Sequence, residues 1–198
     1  RGKDETAYAV VKFLNGQLFV TAWGGFSGGY SEDTLKKLAN IAKDNKVKLI
    51  LIESNFGDGM FTQLFRPVLG SIYPVSIGDR DDPDSGIQEI RHSQQKEKRI
   101  IDTLEPVLNR HKLIIDRKVV EQDYKSVQDK PQDIAQKYMG LYQLTRITSE
   151  RGALSHEDRL DALAMAVAYW TQQMSKDVDK SIEAKKEERL QMALRNFT

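Results

Sequence analysis

Two acidic positions in this sequence have neighbours that suit chemistry. Glu53 ends the apolar run Val47–Ile52 and is followed by Ser54, Asn55 and a glycine-rich turn. A short, mostly apolar run of this kind reads as a strand buried in a parallel sheet. In open α/β sheets, ligand sites form beyond the carboxyl ends of such strands. A solvated strand end or a cap for the next helix is the plainer reading, but Gly57 and Gly59 let a ligand approach the backbone closely. The second position is the stretch His156-Glu157-Asp158-Arg159-Leu160-Asp161. Asp158 and Asp161 are three apart and share a helix face. Acids at a helix start stabilise its dipole, which accounts for Glu157 and Asp158. It accounts less well for Asp161, because the packed run ALAMAVAYW follows at once and an acid beside a buried face needs a partner. Two acids from distant parts of a chain suggest a carboxylate site for Mg²⁺ or Mn²⁺, ions that prefer oxygen ligands. Paired ions of that type activate water and stabilise the leaving oxygen in phosphodiester cleavage.

Composition removes several other chemistries. The 198 residues include no cysteine, so disulfides, thiolate zinc sites and cysteine nucleophiles are excluded together. His92, His111 and His156 lack metal-binding spacing. The glycine pairs form neither a dinucleotide fingerprint nor a P-loop, so no ATP site is legible. Net charge is +1, and a polyanion would have to be held by local patches. Basic residues cluster at Arg1/Lys3, at Lys96/Lys98/Arg99 and at Arg146/Arg151; such patches suit a phosphate backbone, although a solvated charged face explains any one of them. No apolar run approaches the ~20 residues of a membrane span. The chain opens at Arg1 without Met or signal peptide, and is expected to be part of a longer polypeptide.

The elements that must position these acids follow from periodicity. Thr6–Leu14 and Gln17–Trp23 flank Asn15-Gly16, a strong hairpin signal. Gly24–Gly29 reads as a loop. Ser31 is a plausible cap for a helix that runs through Lys46. Val47–Ile52 is the apolar strand, and a helix follows near Met60–Leu69. Ser71–Ile77 is a weaker strand with Pro74 at an edge or start, and Asp79–Ser85 an acidic loop. Helix signal returns over Gln94–Arg110. Lys112–Asp116 is a short strand, Val119–Lys125 and Asp133–Ile147 are helical in whole or in part, and Glu157–Met174 is a strongly apolar helix. The charged stretch Ser175–Thr198 reads as a solvated helix or tail. Antiparallel strands first and βα units afterwards imply an α/β fold with a mixed sheet and helices on both faces.

The stretches RGKDETAYAV, ESNFGDGMF, KEKRIIDTLEPVL, QLTRIT and GALSHEDRLDALA, in that order, resemble the nuclease domain of large terminase subunits from short-tailed phages, over about residues 1–170. The resemblance implies a ribonuclease-H-like domain spanning residues 1–174, followed by the charged segment 175–198. It implies a metal-dependent endonuclease cutting concatemeric double-stranded phage DNA with two divalent ions, Mg²⁺ or Mn²⁺. An ATPase domain would precede it in the same polypeptide, with the portal protein and the small terminase subunit as further partners, no membrane, and the host cytoplasm as location. The family's second acid falls on Glu53 and its third on Asp158, with Glu157 or Asp161 sharing the role. Its first acid lies in a pattern like Asp-Pro-Ser-Gly-Arg-Gly-Lys-Asp, just upstream of Arg1, so this stretch by itself carries part of the site; Asp4 matches the later Asp of that pattern. Glu53, Asp158 and Asp161 are thus the expected catalytic residues, Glu53, Asp158 and Asp4 the expected metal ligands, and Arg1, Lys3, Lys96, Lys98 and Arg99 the expected DNA contacts. Two other readings are a non-catalytic module that grips DNA or docks on the portal, and a resolvase- or transposase-like enzyme sharing the fold.

Overall fold

The computed structural model describes residues 5–54, 59–74 and 85–195, with the last helix beyond residue 176 described as backbone except at Lys186. The hairpin forms where the sequence places it. Strand β1 (Thr6–Leu14) runs antiparallel to β2 (Gln17–Phe26). Asn15 and Gly16 between them both have positive φ, 51° and 79°, the left-handed turn whose twist matches that of the flanking strands. β2 is longer than expected. Gly24 and Gly25, read as loop, pair with Tyr8 and Ala7, and the Tyr8 ring stacks on Phe26 at 5.3 Å. The partner strand, rather than local propensity, extends β2 through its glycines. The register slips between Val10 and Val11, so Leu18, Val20, Ala22 and Trp23 are all buried. On its other side β2 accepts the parallel strand β5 (Leu113–Ile115).

Among the described residues a second sheet consists of β3 (Leu49–Glu53) and β4 (Gly86–Ile90), paired in parallel. β4 escapes sequence reading because GIQEI is short and half polar, and its pairing comes from β3. The strand expected over Ser71–Ile77 does not form there: Ser71 and Ile72 close helix α2 (Met60–Ile72), Tyr73 and Pro74 are outside any strand, and 75–77 lie outside the described residues. The expected acidic loop also lies outside them except for Ser85. Helix α1 (Glu32–Asp44) starts as expected, with Ser31 Oγ accepting from the Thr34 amide. It packs with α2 around Leu35, Ala39, Ala42, Phe65 and Leu69.

Helix α3 (Lys96–Asn109) leads into β5, and α4 (Arg117–Lys125) is capped by Asp116. The stretch Asp133–Ile147, expected to be helical in whole or in part, is divided into α5 (Gln132–Ala135), a 3₁₀ turn (Gln136–Tyr138) and α6 (Gly140–Arg146). Met139 between them is extended. The cause is tertiary: the Gly140 and Leu141 amides donate to the Asp123 carboxylate at 2.9 and 3.0 Å. Helix α7 (Asp158–Arg195) passes residue 174 without a break. Its apolar face (Leu160, Leu163, Ala164 and Val167) joins Leu18, Val20, Trp23 and the inner face of α3 in the main core. Among the described residues no helix is long and apolar enough to cross a membrane. β1 and β3 each pair on one side only among the described residues. A cleft of about 1000 Å³ lies between them, floored by α1 and α7 and lined by Glu53, Lys96, Asp158 and Asp161.

Candidate active site

Four acids from two distant segments meet at one end of that cleft. Glu53 stands at the carboxyl end of β3, its side chain 35% exposed. Glu157, Asp158 and Asp161 come from the start of α7. Between them lie two cations one helical turn apart on α3. Lys96 Nζ is 3.1 Å from Glu157 Oε1, 3.3 Å from Asp158 Oδ1 and 3.5 Å from Asp161 Oδ2. Arg99 Nη2 is 2.7 Å from Asp161 Oδ1 and 3.9 Å from Glu53 Oε1. His92 Nδ1 lies 3.3 Å from the same Glu53 oxygen.

The electrostatics follow from these distances. Burial works to lower the Lys96 pKa, but Asp161, Asp158 and Glu157 outweigh it and hold the ammonium above its ordinary range. Burial raises the Asp161 pKa, with Glu53 adding to the rise, against the pull of Lys96 and Arg99. Asp161 Oδ1 is buried without a hydrogen-bond partner, as is Arg99 Nε; the close contact between the two side chains is therefore an ion pair lacking hydrogen-bond geometry. Among the described residues no group of three or more acid or histidine side chains could hold a metal ion as it stands. The acids surround two adjacent cation positions, now filled by Lys96 beside Glu157, Asp158 and Asp161 and by Arg99 beside Asp161 and Glu53. Their carboxylate oxygens are the hard donors that a divalent ion of the Mg²⁺ type takes, with at least one further donor required.

Residues 1–113 match the family model described as terminase, bacteriophage T7, ribonuclease-H-like domain. The chain is also 43% identical over 180 residues, 91% of its length, to the terminase large subunit of Enterobacteria phage T3. The chain belongs to this terminase family. It spans 29% of the length of the T3 subunit. Among solved structures, the human cytomegalovirus terminase nuclease domain, Mn-soaked and inhibitor-bound, aligns with a TM-score of 0.51 at 14% identity, covering 83% of this chain and 76% of that one. The terminase domain described here thus has the ribonuclease-H-like fold, with an antiparallel hairpin followed by parallel strands.

Within this terminase domain, Glu53, Asp158 and Asp161 come together although more than 100 residues separate Glu53 from the other two. Lys96 and Arg99, expected on a DNA-facing surface, sit inside the acid cluster. Lys98 is exposed on the adjoining face of α3. Arg1, Lys3 and Asp4 lie outside the described residues. Sequence reading missed His92 as a neighbour of Glu53. It also missed a buried polar network behind the acids. Arg159, with its side chain 1% exposed, donates from Nε to Glu5 Oε2 at 2.8 Å, from Nη2 to Glu5 Oε1 at 3.1 Å, and from Nη1 to Asp123 Oδ1 and Ser126 Oγ, both at 2.8 Å. The one available signal was an arginine beside the apolar face of DRLDALA, where a charge needs partners.

Proposed function

We propose that this chain is the nuclease module of a large terminase subunit, and that it cuts concatemeric double-stranded DNA during genome packaging with Mg²⁺ or Mn²⁺. The observation that carries this reading is the convergence of Glu53, Asp158 and Asp161 on the two adjacent cations Lys96 and Arg99, with Asp161 facing both. Glu53 and Asp158, the more exposed acids, would hold the ion, joined by Asp4 or by an acid upstream of Arg1. Asp161 would assist chiefly by holding Arg99 and Lys96 in place. Bound there, two divalent ions supply an activated water and charge neutralisation at the scissile phosphate.

The cleft between the β1 and β3 edges leads to these carboxylates. Lys98, with Arg1 and Lys3, contacts the DNA backbone without reading bases, since the described residues contain no recognition helix. An ATPase domain in the same polypeptide, the portal protein and the small subunit are the partners this role implies, and the infected host's cytoplasm its location. Residues 1–174 would be the nuclease unit and 175–198 its charged extension.

The test is plasmid cleavage with Mn²⁺ by the large terminase subunit carrying this chain. Nicking and linearisation are expected from the parent and from neither Glu53→Ala nor Asp158→Ala. Undiminished cleavage by both variants removes the site assignment. An inactive parent that still retards DNA favours a gripping module instead.

A further inference from the structure

Helix ends fray, and their first four N–H groups have no partner within the helix. The acids of α7 nevertheless occupy its first turn, where placement is hardest to maintain. That turn is held by three tethers from outside the helix. The Arg159 side chain is locked onto Glu5, Asp123 and Ser126 as described. The Arg159 carbonyl accepts the Trp23 indole N–H at 2.6 Å. The Leu160 amide, one of the groups without a helical partner, donates to Gln143 Oε1 at 3.0 Å. At about 100° per residue, Asp158 and Asp161 lie within about 60° of each other, while Arg159 projects from the far side of the turn. A tether at Arg159 therefore fixes the rotation of both carboxylates.

We propose that Arg159 is a positioning residue of the nuclease site, its buried guanidinium fixing the first turn of α7 and thereby the Asp158 and Asp161 carboxylates relative to Glu53. This rests on the nuclease reading above. The cluster is charge-balanced: Arg159 and Lys130, the latter 3.5 Å from Glu5, face Glu5 and Asp123. It also ties distant parts of the chain to one point. Glu5 leads into β1, Trp23 is on β2, Asp123 is on α4 and caps α6, and Gln143 is on α6. Three of the five recognisable motifs supply members (Glu5, Gln143 and Arg159), and none of these three touches either cation position. Stability alone is a weak account of such a cluster, because apolar residues of similar volume often serve a core as well as a buried ion pair does. A guanidinium fork adds directional geometry that an apolar side chain cannot.

Arg159→Lys, which keeps the charge and loses the fork, tests this in the large terminase subunit carrying this chain. Mn²⁺ affinity, read by electron paramagnetic resonance, should fall about tenfold or more, the range seen when groups supporting metal ligands are removed. The Mn²⁺ concentration giving half-maximal cleavage should rise in parallel, while KM for DNA stays within about twofold. Circular dichroism checks that the variant is folded. If it is not, Gln143→Ala, which frees the Leu160 amide and the Lys137 carbonyl and leaves the ion pairs in place, decides by the same two readouts. A folded variant with parental Mn²⁺ affinity and metal requirement overturns the proposal, provided Glu53→Ala is inactive. If Glu53→Ala still cuts, the nuclease-site reading fails, and this inference with it.

Discussion

Asp158 and Asp161 sit three residues apart on one helical turn, and the fold treats them differently. Asp158 is 28% exposed and shares Lys96 with Glu157. Asp161 is 9% exposed and faces both Lys96 and Arg99, the latter only 11% exposed. Removing one partner of a buried ion pair leaves the other charge uncompensated and costs about 3–5 kcal/mol, whereas a partly exposed pair contributes about 1 kcal/mol or less. Asp161→Ala is therefore expected to lower the unfolding free energy by several kcal/mol in urea titrations. Asp158→Ala should lower it by about 1 kcal/mol or less while abolishing cleavage. Equal losses of stability would contradict the division between a carboxylate that holds cations and one that holds metal. The sequence made the acids legible because both segments border packed runs. It could not reveal that Lys96 and Arg99 face inward, since a basic pair on a helix looks the same whether solvent or carboxylates lie opposite.

At the scale of elements, what sequence periodicity missed was set by distant partners. The helical pattern over Asp133–Ile147 contains no proline to break it. It breaks at Met139 because Asp123 takes the first amides of α6 and Gly140 lies against the Trp23 indole. A Cβ on Gly140 would stand 2.5 Å from the Trp23 ring. Gly140→Ala should accordingly destabilise the fold by about 1–3 kcal/mol, the usual cost of overpacking, despite alanine's better helix propensity. A neutral or stabilising result in urea would show that α6 can shift without loss. Glu97 provides a second element-scale case. Its Oε1 accepts the Gly152 amide at 2.6 Å, tying the loop before α7 to α3. That backbone N–H holds the Glu97 carboxyl below its ordinary range. A lowered folded-state pKa means that this stabilisation is present above the unfolded value of about 4.3 and is lost as pH falls through the folded one. Melting temperatures of Glu97→Gln across pH 3–7 should thus differ from the parent near neutrality and converge with it in acid. A constant offset would remove Glu97 as a source of acid sensitivity.

The whole molecule divides around its cleft. One sheet, β1-β2-β5, shares eleven described buried apolar residues with α3, α4 and α7. The other, β3-β4, rests with α1 and α2 on a cluster of five. The mixed strand order was legible in the succession of hairpin and βα units. The separation into two sheets among the described residues was not, because strand propensity does not say which strands pair. Opening free energies within a protein scale with local buried contacts, so the smaller unit should open below the global unfolding free energy. Native-state hydrogen exchange should therefore show Ile50 and Ile52, whose amides face β4, exchanging through a sub-global opening, and Leu18 and Val20 only through global unfolding. Glu53 rides on the smaller unit and Asp158 on the larger, so that opening would separate the two proposed metal ligands. Mn²⁺ binding to both would then close the gap in opening free energies, as a ligand stabilises only the state in which its site is assembled. Identical exchange energies for the two sheets without metal would show that α1 and α7 already hold them as one cooperative unit, with Glu53 fixed before any ion arrives.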